Sequence, residues 1–161
     1  MTLLFLFLAI ILIALDQFVK RWAINALANS PDIELIPNIF HFSYVENRGA
    51  AFGMLQNRQW FFVIITVIVL GGILFFWHKI PKTKLGTFYK FCLTLIISGA
   101  VGNLIDRVFL GYVVDMFYFK LINFPVFNVA DICVVSGTIL LAIAMILEDI
   151  IIAKNKVNEE E

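Results

Sequence analysis

Four long apolar stretches divide the chain, over residues 3 to about 27, 59–77, 88 to about 106, and 129–153. Each approaches the roughly 20 residues a helix needs to cross hydrocarbon, so the pattern predicts four transmembrane helices. Between the first two, Phe40, Phe42 and Tyr44 alternate with His41 and Ser43, which is the period of a strand rather than a helix. Pro37-Asn38 supplies a turn before this run, and Gly49 and Gly53 bracket the tight segment after it. The expected fold is an all-α integral membrane protein of four spans, one domain over residues 1–161. A small β-sheet, beginning near residue 33, is expected on its outer surface, its aromatic face resting on lipid or on the helix bundle.

Composition strengthens this picture. The chain is 61% hydrophobic and 15% charged, with 17 Phe and a mean hydropathy of +0.94, values that belong in lipid. Its 12 basic residues balance 12 acidic ones, so no basic surface argues for nucleic acid. Cys92 and Cys133 each lie inside an apolar run without CxxC spacing, and read as core thiols. Ala26-Leu27-Ala28 is similar to a signal-peptide cleavage site, but the first stretch lacks a basic leader and carries Asp16, Lys20 and Arg21, so it reads as a retained span. Lys79, Lys82, Lys84 and Lys90 surround the loop between spans two and three, which marks that loop as cytoplasmic. Lys154 and Lys156 place the C-terminus on the same side, and four spans then require the N-terminus there too. Lys20 and Arg21 would oppose this arrangement if they faced outer water freely.

The informative residues are the polar ones that lipid penalises. Asp16 and Lys20 are four apart on span one, carboxylate first, so they share a face and can neutralise each other, as a packing device or as part of a site. Gln17, adjacent, can face elsewhere. On span three, Gly99, Gly102, Asn103 and Asp106 fall on one face. The glycines admit a neighbouring backbone, and the polar pair can bond across helices. Asp106-Arg107 reads as a helix-end ion pair or, for Arg107, as a fork for a substrate carbonyl or lipid phosphate. At the start of span four, Asn128 is an N-cap candidate. Asp131 lies inside the helix with no basic residue on that helix before Lys154, so it needs a partner from elsewhere. Asp115 sits in an apolar segment between turns at Gly111 and Pro125, at the interface or in a hairpin dipping into the outer leaflet. Span three runs outward and span four inward, which puts Asp106, Asp115 and Asp131 at one level. Asp16, 13 residues into its helix, is about 20 Å up at 1.5 Å per residue, in the same leaflet.

Two carboxylates brought close in a medium of low dielectric cannot both ionise easily; one keeps a proton while the other serves as a base. That is the division of labour of aspartyl hydrolysis, which needs no cofactor. A metal site is disfavoured, because the only histidines, His41 and His78, should lie on opposite sides of the membrane and no HExxH occurs. A serine hydrolase lacks GxSxG. Buried acids also suit a proton-coupled transporter, or a scaffold whose polar faces join helices.

In order along the chain stand Asp16-Gln17-x-x-Lys20, Asn47-Arg48-Gly49-Ala50-Ala51-Phe52-Gly53, Gly99-x-x-Gly102-Asn103-x-x-Asp106-Arg107, Val114-Asp115 and Phe127-Asn128-x-Ala130-Asp131. With these five motifs the sequence resembles the bacterial lipoprotein signal peptidases (signal peptidase II), over nearly its whole length. The resemblance implies a catalytic pair of Asp115 and Asp131. It implies that Asp16, Lys20, Asn47, Arg48, Gly49, Asn103, Arg107, Asn128 and Ala130 line or support the site, with Gly99, Gly102 and Asp106 structural. It further implies neither cofactor nor metal, and location in the bacterial cytoplasmic membrane with the site near the outer face. The implied substrates are prolipoproteins, cut before a cysteine bearing a diacylglyceryl group and reached through membrane lipid; no obligatory protein partner is expected. Cys133 stands where the family often has a small hydroxyl residue.

Overall fold

The computed structural model describes residues 2–49 and 58–160; Ala50, Ala51, Phe52 and Gly53 of the second motif lie outside the described residues. The described chain forms α1 (Thr2–Leu27), β1 (Ile33–Ile36), β2 (Phe40–Asn47), α2 (Gln59–Phe76), α3 (Lys84–Phe109), β3 (Val113–Phe119) and α4 (Val129–Glu160). All four helices are long and apolar enough to cross a membrane. The third starts four residues before its apolar run, because the Thr83 side chain accepts a hydrogen bond from the Gly86 amide and caps the helix. Both connections at one end of the bundle carry strands, so the sheet sits where α1 and α3 finish and where α2 and α4 begin.

Its strand order is β1-β2-β3, antiparallel throughout. The alternation in β2 is real, yet the aromatic positions are its half-exposed ones, while His41 and Ser43 are buried. Phe40 and Phe42 are held by ring contacts instead, with Phe117, Phe119 and Trp22. The segment around Asp115 is a strand. Val114 and Met116, fully buried, pack against Ala23 and Leu27 of α1, which leaves Val113, Asp115 and Phe117 on the opposite face. Beyond it, Phe117 and Phe127 form an antiparallel bridge, with N–H···O distances of 2.8 and 3.1 Å. This bridge ties the segment leading into α4 to β3 and so sets Asn128 beside Asp115.

Helix α3 approaches its neighbours at its glycines. A Cβ on Gly99 would lie 2.1 Å from the Ala130 carbonyl oxygen, and one on Gly102 would lie 2.6 Å from Asp16 Oδ2. Neither backbone nor a charged, bonded carboxylate can retreat cheaply. Gly99→Ala is therefore expected to destabilise the protein by about 1–3 kcal/mol through overpacking. Gly71→Ala, on a face of α2 with nothing within 4 Å, is expected to leave the midpoint of thermal unfolding in detergent unchanged or slightly raised.

Candidate active site

Two linked polar clusters occupy the sheet end of the bundle. In the first, Lys20 Nζ lies 3.0 Å from Asp16 Oδ2 on its own helix and 3.0 Å from Asp106 Oδ2 on α3, all three side chains being buried. Asp106 is thus paired with Lys20 and not with its neighbour Arg107, because successive residues on a helix point in different directions. Gln17 belongs to the same cluster, its Nε2 donating to Asp106 Oδ1 at 3.0 Å and to the Gly102 carbonyl at 3.1 Å. The sequence left it free to face away from Asp16, but its amide reaches the same cluster. Both acids also bind backbone of the neighbouring helix or strand. Asp16 Oδ1 accepts from Ala130 N–H at 2.9 Å, and Asp106 Oδ2 also accepts from Val114 N–H at 3.0 Å.

The second cluster holds Asp115 and Asp131. Asn128 caps α4, its Oδ1 accepting from Asp131 N–H at 2.9 Å while its own N–H donates to Asp131 Oδ2 at 3.2 Å, a reciprocal cap. The Asn128 amide nitrogen then points at Asp115 Oδ1, 2.6 Å away. Asn47 Oδ1 accepts from Gly49 N–H at 3.0 Å, which turns its Nδ2 to Asp115 Oδ2 at 3.0 Å. Asn103 Nδ2 donates to Asp131 Oδ1 at 2.8 Å. Each carboxylate of the pair therefore receives two N–H donors from groups that are themselves held. Burial, and next the charge of Asp131, push the Asp115 carboxyl up to about 7, against the pull of Asn47 and Asn128.

Both acids open on a cavity of about 870 Å³. Its polar lining includes Asn103, Arg107, Asn47, Arg48 and Glu46; most of the remainder is apolar, among it Val45, Val113, Phe124, Ile132 and Val135, and α2 contributes Thr66. The Arg107 guanidinium lies over the Phe62 ring, 5.0 Å from its centroid. Also on the cavity lining, Arg48 pairs with Glu46 at 2.8 Å and lies over the Tyr112 ring. All the site residues expected from the sequence are in these clusters or against them, and Gly99 is one turn further along α3. His41 lies in the sheet, and His78 in the 3-10 turn Trp77–Lys79 at the far end of α2. Among the described residues no His, Cys, Asp and Glu side chains group as a metal site.

A buried carboxylate, Asp115, and a half-buried one, Asp131, opening together on a largely apolar cavity within a bundle of four candidate spans are the arrangement of a membrane-embedded hydrolase of the aspartyl class. Residues 8–147 match the family model described as signal peptidase (SPase) II. The chain is 49% identical over 140 residues to the lipoprotein signal peptidase of Clostridioides difficile (strain 630), covering 87% of this chain and 93% of that one. It is 46% identical over 138 residues to that of Streptococcus thermophilus (strain CNRZ 1066), covering 86% and 89%. A solved bacterial membrane enzyme superimposes with a TM-score of 0.79 at 32% identity, over 90% of this chain and 88% of that one. The chain belongs to the signal peptidase II family: it is a multi-pass bacterial membrane protease that removes signal peptides from prolipoproteins.

Proposed function

We propose that Asp115 and Asp131 are the catalytic pair of this peptidase, with Asp131 as the base and Asp115 as the acid. Asp131 stands in the first turn of α4, where the helix dipole favours a negative charge, and takes N–H bonds from Asn103 and Asn128. Asp115, on a strand, holds its proton up to about 7. Ionised Asp131 takes a proton from water as the oxygen adds to the scissile carbonyl carbon. Asp115 polarises that carbonyl, and the carbon–nitrogen bond then breaks as a proton passes from the pair to the leaving amine. The single observation that carries this reading is a buried acid, Asp115, and a half-buried one, Asp131, opening on one cavity, each fixed by two N–H donors.

The substrate is proposed to be a precursor whose cysteine carries a diacylglyceryl group, cut on the N-terminal side of that cysteine. The apolar lining from Val45, Val113, Phe124, Ile132 and Val135 suits acyl chains and an apolar peptide, and Arg107 supplies donors for carbonyl or ester oxygens. Both termini are assigned to the cytoplasm and the site to the outer leaflet. The support is Lys79, Lys82 and Lys84, which cluster at the end of the bundle opposite the sheet. The whole chain is taken as a single domain, working without an obligatory partner. Incubating the purified protein with modified and unmodified precursor and following the mobility shift tests the assignment. Cleavage of the modified form alone is expected; equal cleavage of both would overturn the lipid requirement.

A further inference from the structure

The clusters are joined by one side chain, Asn103. Its Oδ1 accepts from Lys20 Nζ at 2.8 Å and from Asn128 Nδ2 at 3.1 Å, while its Nδ2 donates to Asp131. An ammonium group has donors and no acceptor, so the Asn103 atom that faces Lys20 must be the oxygen. The nitrogen is then left for Asp131. Asn128 supports the same orientation, because its own amide is fixed by the Asp131 backbone N–H.

We propose that Lys20 is a positioning residue for Asp131, setting the Asn103 amide so that its N–H, not its oxygen, meets the base. This rests on the reading of Asp131 as catalytic. Orientation is the larger part of this action, since Asp16 and Asp106 set two carboxylates against the single charge of Lys20. The charged groups facing Asp131 are Arg107 from α3, Asp115 from β3 and, through Asn103, Lys20 from α1. Without Lys20 the amide is held in this orientation by Asn128 alone, and a turn would set its oxygen against Asp131 and oppose ionisation there.

A double-mutant cycle between Lys20→Met and Asn103→Leu, with pH profiles of kcat/KM, tests this. Each single change is expected to lower kcat on the order of 10- to 100-fold with little change in KM, as for groups that orient a reacting ligand. Each should also move the acidic limb to higher pH. In the Asn103→Leu background, Lys20→Met should cost less than about twofold more and leave the limb where it is. Losses that multiply, or a Lys20→Met profile equal to the wild-type one, would overturn the proposal. Should Lys20→Met fail to fold, the same cycle is run with Asp106→Asn in every arm, so that the arms carrying Lys20→Met lose one charge of each sign. Activity of Asp131→Asn at the normal rate would instead overturn the catalytic reading itself.

Discussion

With asparagine at position 131 or at position 115, processing of a lipid-modified precursor is expected to slow by about 10²- to 10⁴-fold, the range for loss of a positioned acid or base. Asparagine keeps the shape of each side chain but cannot take or give the proton. At 131 it still offers one acceptor to the capping amide of Asn128, and at 115 one acceptor to Asn47 or Asn128, so thermal unfolding should change far less than activity. The double variant should be little slower than either single one, because the two acids handle one proton between them. A single variant that processes precursor at the wild-type rate would remove its residue from the pair.

Lys20→Met is expected to lower stability by about 3–5 kcal/mol, as for a buried ion pair that loses one partner. Two buried carboxylates, Asp16 and Asp106, would be left facing a methyl group. Adding Asp106→Asn should recover part of the loss, since the amide keeps a single acceptor for Gln17 or Val114 N–H and carries no charge. Thermal melts of both variants in the same detergent read the difference; a double variant less stable than Lys20→Met would contradict the pairing.

Much of this arrangement was legible because lipid makes polar residues conspicuous. The four spans followed from apolar length, and the acids stood out against them. Strand β3 did not, because Val113 to Phe119 is apolar at all positions but one and shows no alternation. Four successive residues from Val113 are buried, as a strand covered on both faces requires. In β2 the period was visible but the buried face was not. Rings on Phe40 and Phe42 find partners across strands, while His41 meets Tyr118 edge to face and Ser43 donates to Asp32. Adjacency suggested Arg107 as the partner of Asp106, whereas helix geometry brings Lys20 from a helix more than 80 positions earlier in the chain. The capping pattern at Asn128 was legible; that its amide also reaches Asp115 depends on the Phe117–Phe127 bridge, which no local pattern encodes.

The pH dependence of kcat/KM tests the shared proton most directly. Activity requires Asp131 ionised and Asp115 protonated, so the rate should rise through an acidic limb and fall as the pH passes above about 7, where the pair loses its remaining proton. A bell with its falling limb near neutrality is the expected result. A rate that climbs through pH 7 and stays level to pH 9 would mean that no protonated carboxylate takes part, and would contradict the account.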